Sequence, residues 1–477
     1  MREILINERQ HGDAAFDMKR RVMEDPSLRV VASPIMDRVQ LSLYDSDLVK
    51  QFLNKESMVT IKYTGMFSKT PEFLKNGLVF TEGEKWKRQR KLISQVFHFD
   101  YMNNSLPIIR ATAKEWIDNH CKISTESASP SFAVVDVSKE LKMYSSTVLW
   151  RIFFGEDRFL EGQSGPAMVE VILNNIATTR KLSMSLWNFI FGARFFSLGL
   201  REIDRQYNLE NKIIKRLFYS KFEQSRESIN AKTKAQQSDS SATNATSPPS
   251  SNPSFKNLIE LLIQQSEGLP DLEIVSQIYT FFMAGTDTTS ELLTTSHYLL
   301  ATHPEVQAKL REEVITEIGR TEEIKYDHIS KMEYLNAVIK EALRFGSPAL
   351  TTTPRIATQD FMLGEIGVKK GTVVTVDLMG LAFNPKYFSQ PEEFRPERWI
   401  EKKDPGAIDT STHLPFSAGA RRCIGEQLAL IESKVMLCEL VRQFNIELKT
   451  PFELKMGVGL VYRVNPPVNV VYTPIQY

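Results

Sequence analysis

The sequence predicts a mainly α protein with a smaller β-rich region, and three observations carry that reading. Helical apolar periodicity runs from about Glu82 to Glu227 and again from about Phe255 to Phe345. Strand-like alternation is confined to the start of the chain and to the stretch beyond Arg344. The 477 residues are 42% hydrophobic and 25% charged, the balance of a globular chain, which excludes a wholly disordered, collagenous or coiled-coil protein.

Taken in order, Leu28 to Lys55 first reads as strands, with Val39, Leu41 and Leu43 alternating, and then as a short helix opened by Ser46 or Asp47. Between the two helical stretches lies AKTKAQQSDSSATNATSPPSSNPS, residues 231–254, too poor in apolar side chains to offset its ordering entropy. It reads as a flexible surface loop within a single domain, 1–477. As a linker it would have to leave each half its own core, whereas a loop lets motifs from both halves meet at one site. Beyond Arg344, GEIGVKKGTVVTVDL at 364–378 reads as a hairpin, followed by a Pro-rich stretch, a helix from about Gly425 to Phe444 and a Val-rich β tail.

Lys and Arg number 59 against 58 Asp and Glu, so no global field favours nucleic acid, and none is expected as a partner. Cys121, Cys423 and Cys438 are too few for a disulfide framework and fit a reducing compartment. The first residues, MREILINERQHGDAAFDMKRR, lack the apolar centre of a signal peptide. No charge-free apolar run approaches the ~18 residues of a spanning helix, and the best, between Lys181 and Arg194, is too short.

The most specific text is Phe416-Ser-Ala-Gly419-Ala-Arg421-Arg-Cys423-Ile-Gly425, a cysteine on a glycine-punctuated loop running into a helix. Glycines let the backbone approach a bulky planar partner, and a helix N-terminus favours the thiolate, a strong ligand. Alone, a cysteine is more often an inert small hydrophobe, the reading kept for Cys121 and Cys438. A zinc site would want about four Cys or His ligands, and no CxxC or HxxxH accompanies Cys423; a cysteine hydrolase would need a paired His, and His413 is only a loop neighbour.

A second constellation, Ala284-Gly285-Thr286-Asp287-Thr288-Thr289, sits inside a long apolar helical pattern beginning near Asp271. Ala284 and Thr288, four apart, share a face on which something flat can lie, and Gly285 leaves room beside it. The bland reading is a back-bonded Thr288 and a salt-bridged Asp287.

Together these motifs resemble the cytochrome P-450 family. FxxGxRxCxG matches its haem-binding loop without a mismatch, and AGTDTT is similar to its oxygen-binding groove. The resemblance runs from about Leu28 to the C-terminus. It extends to Glu341-Ala-Leu-Arg344 with Pro396-Glu-Arg398-Trp399, similar to a buried structural triad of Glu341, Arg344 and Arg398, and to Trp86-Lys-Arg-Gln-Arg90 and Pro354-Arg355. Trp399 replaces the commoner Phe, and Leu381-Ala-Phe-Asn-Pro385 lacks a frequent His-Arg.

What the resemblance implies is a large helical bundle with haem b between the oxygen helix and the Cys-loop helix. Cys423 would be the axial thiolate, pushing electron density toward O–O cleavage. Trp86, Arg90, Arg355 and Arg421 would serve the haem propionates, with Phe416, Gly419 and Gly425 shaping the loop and Ala284 and Gly285 the opposite face. Thr288 would hydrogen-bond dioxygen and Asp287 link it to a proton supply. The implied activity is a monooxygenase inserting one oxygen atom into a lipophilic substrate, with Met66, Phe67, Phe281, Phe282 and Leu350 as pocket candidates that could equally be core.

No flavin or dinucleotide fingerprint occurs, so electrons are expected from a separate redox partner, a flavoprotein or a ferredoxin with an acidic face, with an NADPH-dependent flavoprotein reductase the first expectation, docking near Lys87, Arg88, Lys91 and Arg422. Membrane-bound members carry an apolar anchor and a Pro-rich hinge before the first strand. Neither is found here, so the expectation is either a soluble form or an N-terminally incomplete one. The protein is expected to be a monomer on the cytoplasmic side, soluble or peripherally associated with the endoplasmic reticulum. Residues 186–200, LWNFIFGARFFSLGL, read equally as a surface dipping into a bilayer or as bundle core. The rival readings are a peroxide-driven or rearranging haem-thiolate enzyme, and a haem-binding gas sensor without turnover.

Overall fold

The computed structural model describes all residues except 1, 36–37, 64–73, 98–103, 121–131, 135, 156–169, 173, 176–177, 179–181, 183–197, 241–256, 266–267, 459–460 and 477. Cys121, Met66 and Phe67, and the segment 186–200 apart from its last three residues, lie outside the described residues. The chain clusters into two compact units, each discontinuous in sequence: Met1–Tyr63 with Ile109–Ser145 and Asp287–Tyr477, and Thr64–Ile108 with Ser146–Thr286. No division falls within 231–254.

The first unit opens with two helices, Arg2–His11 and Phe16–Glu24, ahead of the sheet that the sequence places first. The second is amphipathic at i, i+4: Met18 and Val22 are buried, while exposed Arg20 pairs with Asp17 and Glu24. Asp13 starts it by accepting the Ala15 N–H at 2.9 Å. The strands follow as β1 (Val30–Ile35), β2 (Arg38–Leu43), β3 (Thr60–Lys62), β4 (Phe132–Val134), β5 (Arg355–Ala357), β6 (Phe361–Leu363), β7 (Ile366–Val368), β8 (Val373–Val376), β9 (Phe444–Leu448), β10 (Lys455–Val458), β11 (Tyr462–Asn465) and β12 (Val470–Pro474).

The largest sheet has the order β1-β2-β8-β5-β3, with β2 and β8 parallel and the other pairs antiparallel. Every residue of β8 is buried, which a strand covered on both faces allows and a period-2 pattern would not show. The expected 364–378 hairpin is therefore corrected. β7 pairs with β6, around Gly364 at φ +59°, while β8 leaves it to join β2 and β5. Val39, one of the three alternating residues, is 51% exposed, whereas Leu41 and Leu43 are buried. The helix Ser46–Val59 begins where expected. The tail forms a β4-β12-β9 sheet and a β10-β11 pair, and the N-terminal segment docks on the latter through Ala14 N–H to the Met456 carbonyl at 2.6 Å.

The second unit is built on aromatic packing. In the helix Glu202–Ser240, Ile214, Phe218 and Phe222 recur every four residues and are buried. Phe218 meets Trp150, Phe154, Tyr279 and Phe282 with ring centroids 5.3–6.3 Å apart. Phe282 is thus core, and Phe281 packs between Phe97 and Phe153. In the first unit, Leu350 is likewise fully buried, against Tyr44 and Met379 among others. All three pocket candidates among the described residues are buried against other apolar side chains. The Glu202–Ser240 helix also overruns the start of the expected 231–254 loop by ten residues. Ala, Lys and Gln dominate residues 231–237, and these are strong helix formers with no Gly or Pro to stop them. The remainder of that stretch lies outside the described residues.

The helix Asp271–Thr302 contains the Thr286–Asp287 division. Its many buried hydroxyls would be expensive to leave unpaired. They bond back one turn instead: Ser276 to Leu272, Thr280 to Ser276, Thr294 to Ser290 and Ser296 to Leu292, at 2.5–2.8 Å.

Candidate functional site

From Glu273 to Leu300 every residue of this helix is buried except Met283, Ala284, Gly285 and Thr288, which are partly exposed. Met283, Ala284 and Gly285 are consecutive, and Thr288 lies four residues from Ala284, so Ala284 and Thr288 share a stripe. The motif picked out by sequence is where a buried helix becomes accessible. Gly285 has a further reason to be glycine: a Cβ there would come within 2.9 Å of Leu149 Cδ1, so the close approach of the Val137–Phe154 helix requires its absence. Thr286, fully buried, accepts a hydrogen bond from Ser146 at 3.4 Å.

Asp287 faces the other way, 5% exposed, and its carboxylate is paired with Lys142 Nζ at 3.3 Å. The same ammonium lies 4.0 Å from Glu291, which sequence reasoning did not single out. Glu291 is one helical turn from Asp287 and 1% exposed, and burial pushes its carboxyl up to about 7. Its i, i+4 spacing from Asp287 was readable in the sequence; Lys142, 145 positions away, was not.

The thiol loop is shaped by two left-handed residues, Ser417 at φ +58° and Gly419 at φ +69°. A Cβ at Gly419 would also press on the Leu53 carbonyl oxygen at 3.0 Å, so both backbone angle and space demand glycine. Residues Gly419–Arg421 form a single 3-10 turn, and the Cys423 N–H donates to the Phe416 carbonyl at 2.9 Å, folding the loop back on itself. Cys423 emerges exposed, two residues before Gly425 caps the helix Glu426–Val441. Cys438, inside that helix, is fully buried, and burial drives its thiol pKa far up, which makes it inert. Among the described residues no group of three or more His, Cys, Asp or Glu is placed to hold a metal ion.

Glu341 and Arg344 stand on the helix Glu333–Phe345, and both are fully buried with Arg398. Arg344 donates to both Glu341 oxygens at 2.8 and 2.9 Å, and Arg398 Nε donates to Oε1 at 2.9 Å. Trp399 adds a member that the sequence did not reveal: its indole N–H donates to Glu341 Oε2 at 2.8 Å, a bond that Phe could not make. Asp404 closes the cluster by pairing with Arg398. The remaining guanidinium donors reach the carbonyls of Ala382, Pro391, Glu393 and Ser389, which ties the segment Pro391–Trp399 to the helix.

The other basic residues are placed as follows. Arg355, 2% exposed on β5, donates to the side chain and carbonyl of Thr60 at 3.1 Å. Trp86 is buried and Arg90 half-buried, four apart on one face of the helix Gly83–Val96. On that helix Lys87 pairs with Glu84 and Arg88 with Glu273, and in the first unit exposed Arg422 pairs with Glu426 at 2.6 Å. Three of the four expected docking cations therefore already carry local counter-ions, while Lys91 is exposed. Of the sequence-read site, the first unit holds Asp287, Thr288, Arg355 and the Phe416–Gly425 loop; the second holds Trp86, Arg90, Ala284 and Gly285.

A thiol on a glycine loop at a helix start, with arginines elsewhere and a helix opened at small residues, has the donor set of a haem-thiolate protein. Comparison with known families agrees: the Cytochrome P450 family matches residues 29–468, and the chain belongs to that family. Mouse cytochrome P450 3A13 is 30% identical over 449 residues, covering 89% of this chain and 81% of the relative. Human cytochrome P450 3A5 is 28% identical over 456 residues, with coverage of 90% and 81%. As a member, the chain is a monooxygenase whose cofactor is haem b held by a thiolate, working with dioxygen, a redox partner and a lipophilic substrate.

Proposed function

We propose that Cys423 is the thiolate ligand, that Trp86, Arg90, Arg355 and Arg421 serve the propionates, and that Thr288 and Asp287 manage protons. Haem, when bound, supplies the dioxygen-activating chemistry. The chain's residues set its conditions. Phe416, Gly419 and Gly425 hold the Cys423 loop in a shape that exposes the cysteine, and the start of a 16-residue helix favours the anion there. Ala284 and Gly285 keep their own helix narrow enough for a flat group and a small ligand beside it. Thr288 lies on that stripe and offers a hydroxyl, while Asp287, held by Lys142, exchanges protons from the buried side.

The observation that carries this reading is the confinement of exposure on a buried helix to Met283, Ala284, Gly285 and Thr288. We read residues 1–477 as one domain, a monomer receiving electrons from a separate NADPH-dependent flavoprotein reductase and hydroxylating or epoxidising its substrate. A peripheral membrane position on the cytoplasmic side is supported by Leu198 and Leu200, 66% and 61% exposed at the end of the aromatic 186–200 segment. No helix among the described residues is long and apolar enough to cross a membrane.

Two measurements test it. The reduced, carbon-monoxide-bound protein should show a strongly red-shifted Soret band that Cys423→His abolishes; a band unchanged in that variant would overturn the ligand assignment. Thr288→Ala should continue to oxidise NADPH while hydrogen peroxide replaces product, and unchanged coupling would overturn the proton role.

A further inference from the structure

Lys142, Asp287 and Glu291 form a nearly closed charge cluster with two carboxyls and one ammonium. Lys142 Nζ lies 3.3 Å from Asp287 and 4.0 Å from Glu291. Glu291 Oε2 accepts the Val464 N–H at 3.3 Å, whereas Oε1 has no hydrogen-bond partner although it is buried. A carboxylate oxygen left so is expensive, and a protonated one is not. With both acids ionised, two carboxylates would share the one ammonium within 4.0 Å, Arg463 being exposed to solvent, so the pair retains a proton.

We infer that Glu291 is the internal proton store for Asp287, a positioning residue for oxygen chemistry that acts through Asp287 and Thr288; this rests on the proton role proposed above. The proton leaves the Glu291 carboxyl and is taken up by the Asp287 carboxylate one turn away. Glu291 is then recharged by a proton from water, which reaches the cluster beside Lys142, whose side chain is 21% exposed. The groups acting on Glu291 agree with that assignment. Burial raises its pKa most, Asp287 raises it further, and Lys142, the Val464 N–H and Arg463 lower it, leaving it about 7, where a carboxyl both holds and releases a proton.

The test uses the haem-loaded protein and two readouts. Infrared titration from pH 5 to 9 should show a buried carboxylic acid C=O band that is lost in Glu291→Gln and fades in the wild type as pH rises through about 7. Lys142→Gln should make that band persist to higher pH, and it serves if Glu291→Gln does not fold. A spectrum unaltered by either substitution overturns the proposal. In turnover, the wild type should send more electrons to peroxide as pH rises through 7, and Glu291→Gln should be uncoupled at every pH; a wild-type pH profile in that variant also overturns it. Asp287→Asn separates the two readings. If Asp287→Asn leaves coupling intact, the proton role of Asp287 fails, whereas the infrared band reports Glu291 alone.

Discussion

Glu341 and Glu291 are both at most 1% exposed, both on helices of the same unit and both beside basic side chains, yet their carboxyls move in opposite directions. Burial pushes each up. For Glu341, Arg344, Arg398, Trp399 and the Arg395 N–H supply so many donors that the carboxyl is held below its usual range. Glu291 has one backbone donor and an ammonium at 4.0 Å, and stays raised. The number of donors, rather than burial or the presence of a cation, separates a carboxylate that holds the fold together from one that stores a proton.

The largest effect that could break this comparison is Glu341→Gln. It leaves Arg344 and Arg398 buried with their counter-ion removed and should lower stability by ~3–5 kcal/mol, read from urea unfolding at neutral pH. A shift as small as that of an exposed pair such as Lys369–Asp360 would mean the cluster is not a structural lock. Next, Glu291→Gln should have the opposite character. Because the folded carboxyl is raised from 4.5 to about 7, the wild type loses stability as pH rises through that window. The variant should lack that slope and gain on the wild type by about 1–3 kcal/mol between pH 5 and pH 8.

Trp399→Phe should cost about 1–2 kcal/mol, since Glu341 keeps its arginines and loses one charge-assisted bond. The effect that is smallest at neutral pH concerns His297, fully buried and lowered from 6.5 to about 4 by desolvation. It stays neutral in the fold, so its contribution is complete above pH 6.5 and declines as pH falls toward 4, a slope that His297→Gln should remove. The Glu341 contribution, from a depressed carboxyl, should persist through that range and fade only below about 4.5.

The local motifs were legible because their chemistry is written in short spacings. The thiol loop, the AGTDTT helix, the ExxR pair and the helix beginning at Ser46 each depend on residues within one or two turns, where φ/ψ preference and helical periodicity act directly. The 364–378 stretch misled for the converse reason. Two strands joined by a turn read as a hairpin, but β8 gains more by burial between β2 and β5 than by pairing with β7, and β2 lies more than 300 positions away. The buried Phe281, Phe282 and Leu350 likewise carry no local mark to distinguish a core aromatic or leucine from a pocket wall.

By itself the sequence determined the helical class, the cysteine that meets solvent at a helix start and the stretch of helix that must be narrow, because each follows from residue type at short range. Only the tertiary structure decided which carboxylates are saturated with donors and which are not. Trp399 reaches Glu341 across 58 positions and Lys142 reaches Asp287 across 145, and the polarity of a buried acid is the sum over neighbours that folding, not spacing, assembles.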